Sequence, residues 1–472
     1  MIFERITEPG LSQYAYAVGC QGAKRIAIVD PMRDIDVYLD FARSHGVEIT
    51  EVLETHIHAD YASGARELAE RTGATLRLSA YDRGEQFEVG YPHTPVQHGD
   101  EIELGGVRLQ AMHTPGHTPE HLSWLVFDTH RSPGIPMAML SGDFLFVGSL
   151  GRPDLLGADA TDALARQLHQ SVASLASLPD SLEIHPGHGA GSMCGAGMSG
   201  RPRSTLGYER LTNPMLDPTL NQDQFVQRML ANLPPRPDYY TRMKELNSRG
   251  PATLGPISAG PSITPEDAGR LMGQGHVVLD LRSQTDFGRG HVPGSVCIGL
   301  GKNFSMWSAW MLDADTPIIL AGNSDRNIEA AVRGLVRVGL DRIAGHLTGG
   351  VQGWIDSGLE TARHEVVPST ELQERLDAGE PLCVLDVRTD AEWNNGHIDG
   401  AVHVPLPELP RHVDRFVGGD PVVTVCNGGY RSAIAAALLE RAGATGIIDQ
   451  LGGMTAWNRA GCSTTTETAP SA

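Results

Sequence analysis

Val278-Leu279-Asp280-Leu281-Arg282 reappears later in the chain as Val384-Leu385-Asp386-Val387-Arg388, and the match continues downstream. Gly290-His291-Val292-Pro293-Gly294 answers to Gly396-His397-Ile398-Asp399-Gly400, Pro317-Ile318-Ile319 to Pro421-Val422-Val423, and Gly339 to Gly443. A Gly-Gly pair precedes both Trp354 and Trp457. A repeat of this length means one structural unit built twice. Apolar runs alternate with helical stretches at 329–338 and 433–442, the pattern of a parallel sheet covered by helices. The later part of the chain is thus committed to two copies of an α/β domain, expected over 262–362 and 366–462.

The copies differ at one decisive place. In the second, the expected strand 422–425 ends at Cys426, followed by Asn427-Gly428-Gly429-Tyr430-Arg431-Ser432 and a helix. A tight Gly-rich turn at a helix N-terminus aims backbone N–H groups at the sulfur, which stabilises a thiolate, and Arg431 adds positive charge. A strand-end cysteine with no special role would leave the adjoining Gly-Gly and Arg-Ser unexplained. Both copies resemble rhodanese domains. The resemblance implies that Cys426 carries sulfane sulfur as a persulfide, with Arg431 beside it. Asn427, Gly428, Gly429, Tyr430 and Ser432 would form the loop that meets substrate. A phosphatase loop would hold five residues between Cys and Arg; the four found here favour sulfur over phosphate. Aligned without gaps from Pro317, the first copy places Gly322 opposite Cys426, Asn327 opposite Arg431 and Ile328 opposite Ser432, with Arg326 one residue out of register. That copy is expected to be inactive.

Upstream, Glu54-Thr55-His56-Ile57-His58-Ala59-Asp60-Tyr61-Ala62-Ser63-Gly64 follows a strand-like run at 49–53 and leads into a helical pattern at 65–71. Loops leaving strands are where side chains converge on one point. Two imidazoles two residues apart, with a carboxylate two further on, suit a divalent metal. Three later turns are of the same kind: His113-Thr114-Pro115-Gly116-His117-Thr118, Ser141-Gly142-Asp143 and His185-Pro186-Gly187-His188, each at the end of an apolar strand-like run. Short strands separated by helical stretches at 34–44 and 161–178 suggest two sheets with outer helices. Residues 201–251 are polar and punctuated by prolines, with a helix expected at 224–233. They read as an extension followed by a linker near 248–261.

These four motifs, in this order, resemble the metallo-β-lactamase fold over roughly residues 1–240. The expected fold class is therefore multi-domain α/β: an αββα sandwich with its extension over 1–250, then the two rhodanese-like domains. One departure stands out. The family loop usually ends in His where this chain has Tyr61, and in dinuclear members that histidine helps hold a second metal. The motifs then look like the mononuclear iron branch, the persulfide dioxygenases. This resemblance implies one Fe(II) per chain on His56, His113 and Asp143, with zinc as the alternative. Two histidines and a carboxylate leave open positions for O₂ and substrate. His58, Asp60 and His188 would orient those ligands or hold a second metal, and His117 and His121 would be hydrogen-bonded scaffold. The stretch from Val147 to Asp154 also looks like this branch. Its Arg152 would meet a carboxylate or phosphate of the thiol carrier, or pair structurally with Asp154. Cys194, shortly after His188, is a redox candidate or a plain loop thiol.

A formal net charge of −20 argues against nucleic acid or an anionic membrane as the main partner. No apolar leader or long uncharged span stands out, and the six cysteines follow no disulfide framework, which suggests free thiols in the cytoplasm. Residues 463–472 read as a disordered tail. The expected partners are a small-molecule thiol persulfide, O₂ and sulfite, with a homo-oligomer possible. The expected function is persulfide oxidation to sulfite, coupled to sulfur transfer that yields thiosulfate. The alternatives are a zinc thioester hydrolase of the glyoxalase II type fused to sulfurtransferase domains, and a sulfur-carrying scaffold without oxygenase turnover.

Overall fold

The computed structural model describes residues 1–231 and 233–466. The chain divides into two compact units near residue 257, the first built mainly from residues 1–257 and the second mainly from residues 258 onward. Part of the expected tail, 467–472, lies outside the described residues.

The first unit has two six-stranded sheets face to face. One runs Ile2–Glu8, Gln13–Cys20, Arg25–Val29, Glu48–Leu53, Thr75–Ser79, Thr94–Val96, antiparallel at its start and parallel from Arg25 onward. The other orders Ser204–Thr205, Glu183–Pro186, Ala138–Gly142, Leu122–Asp128, Val107–His113, Glu101–Glu103. Alternation along the strands decides which side chains meet between the sheets. Tyr16, Val18, Val29 and Leu53 from the first pack with Leu109, Leu122, Trp124, Val126 and Leu140 from the second, all buried. The opposite face of the first sheet takes helices Asp36–His45 and Ala65–Thr72 through Tyr38, Ala42, Leu68 and Ala69. The opposite face of the second takes Ala158–Ser174 and Gln222–Ala231 through Leu168, Phe225 and Met229. The layering is α–β–β–α. In both sheets the strand ends that carry chemistry, Leu53, His113, Gly142 and Pro186, run into loops.

The expected extension over 201–251 holds more helix than its prolines suggest. Leu206–Thr212 and Tyr239–Arg249 are helices, and the latter buries Tyr240, Met243, Lys244 and Asn247 on one face.

In the second unit the repeat appears as two five-stranded sheets of identical order with parallel pairing throughout. One orders Ser262–Ile263, Ile343–Leu347, Ile318–Ala321, Val277–Asp280, Val296–Cys297; the other Glu365–Val367, Ile448–Gln450, Val422–Val425, Cys383–Asp386, Val402–His403. Asp280 with Arg282, and Asp386 with Arg388, form the same buried ion pair in each copy, at 2.7 Å in both, which explains why that pentapeptide repeats. Among the described residues no helix is long and apolar enough to cross a membrane.

Candidate metal centre and sulfur-transfer loop

Three loops of the first unit bring His56, His117 and Asp143 together, each buried, with one ligand atom apiece lying within 4.8 Å of the others. Asp143 Oδ2 is 3.9 Å from His56 Nε2 and 3.5 Å from His117 Nε2. All three atoms are buried with no hydrogen-bond partner. Buried polar atoms are rarely left unpaired, so three that converge mark a place for a cation. The surroundings fix which ring nitrogen faces the centre. Thr55 donates its hydroxyl to Asp30 (2.9 Å) and so accepts from His56 Nδ1 (2.9 Å), while His117 Nδ1 donates to the Arg152 carbonyl (2.8 Å). Each Nε2 is left with its lone pair inward, as a metal ligand requires. Burial among other imidazoles holds both rings well below the usual histidine range, hence neutral. These residues fit a divalent metal of the iron or zinc class.

The ligand set expected from the sequence is corrected at one residue. His113 ends its strand facing away: Nε2 bonds the Pro119 carbonyl at 2.8 Å and the ring stacks on Tyr81 at 3.7 Å. The turn after it brings His117 back to the centre. It needs Gly116, whose φ is 141° and whose Cβ position is filled by Leu168. His121 is scaffold, accepting the Asp143 N–H at Nε2 (3.0 Å).

The other expected groups lie close by, and Asp60, His188 and Cys194 form a second set of donor atoms within 4.8 Å of one another, with His188 Nε2 and Asp60 Oδ1 also lacking a hydrogen bond. His58 Nε2 lies 2.6 Å from Glu54 and 3.3 Å from Asp30. Burial would lower this imidazole, but the two carboxylates outweigh it and raise it to about 10. Tyr61, fully buried, donates to the Asp30 carbonyl (3.3 Å). His188 sits between two carboxylates, with Nδ1 2.8 Å from Asp143 Oδ1 and Nε2 2.7 Å from Asp60. They raise it against the opposing effect of burial.

Arg152 has partners within the protein. Its side chain is buried, its fork pairs with Asp154 at 2.6 and 2.8 Å, and it donates to the Pro234 carbonyl at 2.8 Å. Its own carbonyl is what fixes His117. Cys194 is buried beside Asp60 and His188, with Sγ 3.8 Å from the Tyr240 hydroxyl. Burial, then the nearby Asp60 and Asp143, push its thiol well up, which opposes a reactive thiolate.

Two residues went unread in the sequence. Lys244 donates to the Ile57 carbonyl (2.8 Å), and Asn247 donates to the carbonyls of His58 and Tyr61 (2.8 Å each) while accepting from Ser63 N–H (2.9 Å). They anchor the histidine loop from the helix Tyr239–Arg249. The signal was there: Tyr240, Met243, Lys244 and Asn247 share one helical face.

In the second unit, Cys426 is buried at the end of its strand, and the Gly429 N–H donates to its sulfur at 3.0 Å. Gly429 has φ 96°, the left-handed turn that opens helix Tyr430–Arg441. Asn427 and Gly428 are exposed at the mouth. Three residues of the expected loop have partners within the protein. Arg431 is held by Glu392 through two contacts of 2.7 Å, so its charge is already paired. Tyr430 donates to the Gly299 carbonyl of the first copy (2.7 Å), and Ser432 is buried, donating to Gly429 O (3.1 Å). Gln284 of the first copy reaches Ser432 Oγ (3.3 Å) and the Gln450 carbonyl (3.2 Å). The copy that lacks the loop cysteine therefore buttresses the loop of the other.

At Gly322 the first copy has no thiol, and a Cβ there would press on Ile328 Cδ1 at 2.9 Å and Leu281 Cδ1 at 3.2 Å, so those side chains would have to shift. Arg326 points to solvent. Gly322→Cys is accordingly expected to add no sulfurtransferase activity to a Cys426→Ser chain, measured with thiosulfate and cyanide. Measurable turnover in that double variant would overturn the inactive reading.

A metallo-beta-lactamase superfamily model matches residues 9–188, and a rhodanese-like domain model matches 264–357 and 369–460. A solved metallo-beta-lactamase from Staphylococcus aureus subsp. aureus COL is 36% identical, with a TM-score of 0.66, over 73% of this chain and 98% of that one. A probable metallo-hydrolase of Burkholderia pseudomallei (strain 1710b) is 28% identical over 40% of this chain and 72% of its own length. The human hydroxyacylglutathione hydrolase-like protein is 31% identical over 32% of this chain, which spans about half the length of that relative, 47%. The chain belongs to the metallo-beta-lactamase superfamily and carries that domain ahead of two rhodanese-like domains.

Proposed function

We propose that the first unit oxidises a low-molecular-weight thiol persulfide with O₂, and that Cys426 passes sulfane sulfur to the sulfite formed, giving thiosulfate. In the first reaction a persulfide, O₂ and water yield a thiol, sulfite and two protons. A bound Fe(II) would supply the O₂ and redox chemistry. The chain's part is to present two neutral imidazoles and one carboxylate in fixed orientation, and to hold His58 between Glu54 and Asp30. In the second reaction the Cys426 thiolate takes the outer sulfur of a donor persulfide and releases the donor thiol. Sulfite then attacks that sulfur, and the bond to Cys426 breaks with its electron pair returning to the thiolate. The Gly429 N–H, 3.0 Å from the sulfur, is placed to steady the anion.

The observation that carries this reading is the convergent trio of unpartnered ligand atoms on His56, His117 and Asp143, with His58 diverted to Glu54 and Asp30. A metal-dependent thioester hydrolase is the second reading, favoured by the names of the relatives. The test is metal analysis of anaerobically purified chain, followed by O₂ uptake with glutathione and coenzyme A persulfides and hydrolysis of a glutathione thioester. One iron per chain, with sulfite formed as O₂ is consumed, is expected. Two zinc ions and thioester hydrolysis without O₂ uptake would install the second reading. The free thiols fit a cytoplasmic setting.

A further inference from the structure

The second unit holds another convergent set of donors, away from Cys426. His291 Nε2 and His364 Nε2 both approach one oxygen of Glu440, at 2.9 and 2.7 Å. The three come from different parts of the unit: His291 from the first copy, His364 from the connection, and Glu440 from the helix that begins after the Cys426 loop. Both imidazoles are buried, and the Glu440 side chain is 21% exposed.

The geometry suits either an ion pair or a bound cation. His291 Nδ1 faces the Phe287 carbonyl at 2.8 Å, so that nitrogen carries a proton. A neutral His291 then turns a lone pair from Nε2 toward a carboxylate oxygen. That contact is tolerable only if the buried ring takes a second proton or a cation stands between them. The matched His397 of the other copy keeps the same local arrangement, with Nδ1 3.1 Å from the Trp393 carbonyl and its ring stacked on Trp393. His291 converges with His364 and Glu440. The outer contacts are also those of a metal site. His291 is fixed by the Phe287 carbonyl and by stacking on its ring at 3.8 Å, and Glu440 accepts the Gly294 N–H at 2.9 Å through its other oxygen.

We propose that His291, His364 and Glu440 form a second metal site, for a divalent cation of the zinc class, that pins the first rhodanese-like copy to the Cys426 helix of the second. Two histidines and one glutamate are an established zinc donor set. Ligands about 2.0–2.1 Å from one metal stand about 2.9 Å apart at a right angle and about 3.3 Å apart at the tetrahedral angle. The two His–Glu440 separations would open by about 0.4 and 0.6 Å to reach the tetrahedral value. The part-exposed edge of Glu440 offers an entry path and a place for a water ligand. With both imidazoles neutral, the ion takes over the neutralisation of Glu440 that otherwise needs a buried imidazolium.

The test uses the full chain, stripped of metal, equilibrated with zinc and freed of excess, and counts zinc by mass spectrometry. The parent is expected to hold one zinc per chain more than His291→Ala/His364→Ala or Glu440→Gln. The glutamine variant preserves shape and keeps an oxygen for Gly294 N–H, which separates loss of a ligand from loss of fold. Thermal unfolding gives a second readout. At zinc about a hundredfold above Kd, the parent's second-unit transition should rise by roughly 5–10 °C, and that of Glu440→Gln should not. Equal zinc content in the parent and both variants, or no zinc-dependent shift in the parent, would overturn the proposal.

Discussion

Asp143→Asn is expected to lose bound iron and with it O₂ uptake on persulfide, by about 10²-fold or more, while sulfur transfer by Cys426 continues. Losing even an outer partner of a metal ligand commonly costs about 10–100-fold, and Asp143 is placed as a ligand whose second oxygen also anchors His188. Asparagine keeps the size of the side chain in a fully buried site, so loss of metal is not confounded by a cavity. The sharper arm compares two histidines of the same turn. His117→Ala should behave like Asp143→Asn. His113→Ala should retain iron and most activity, since His113 bonds only a carbonyl and stacks on Tyr81 within its own surroundings. Iron content and an oxygen electrode read both. Retained iron in His117→Ala together with its loss in His113→Ala would sink the assignment.

That comparison also marks the limit of what the sequence reveals. Strand ends at Leu53, Gly142 and Pro186 were legible because apolar runs stop abruptly at polar motifs, and the repeat made both later sheets legible at once. The choice between His113 and His117 was not. Both lie in one six-residue turn, and which one faces inward depends on the path of the chain at Gly116, a tertiary fact set by its packing on Leu168. Arg152 was ambiguous for a related reason. A guanidinium two residues before an aspartate suits either a ligand or a salt bridge, and only burial under Pro234 decides between them. The helix Tyr239–Arg249 was hidden by the neighbouring prolines, though its anchoring residues Lys244 and Asn247 follow helical spacing. At Cys426 the loop type was readable from spacing. The capture of Arg431 by Glu392 was not, because those residues lie far apart in sequence and meet only when the sheet forms.

The proposed coupling of the two chemistries makes a separate demand on Cys426. Sulfite is a nucleophile, and a persulfide on Cys426 offers it an electrophilic sulfur. Carrying both activities on one chain raises the effective concentration of one site's product at the other, within the reach the chain allows. The intact protein is therefore expected to release thiosulfate as its main product from persulfide and O₂. In Cys426→Ser, O₂ uptake should stay near the parent's value, since His56, His117 and Asp143 are untouched, while the immediate product shifts to sulfite. A serine hydroxyl fills nearly the same volume at this buried position and can still accept the Gly429 N–H, so the fold is expected to hold. What it cannot do is form a persulfide, which needs a side-chain sulfur. Persulfide in excess reacts with sulfite unaided, so products must be followed at early times against that background. Thiosulfate formed by Cys426→Ser as fast as by the parent would mean that another group, or solution chemistry, carries the transfer.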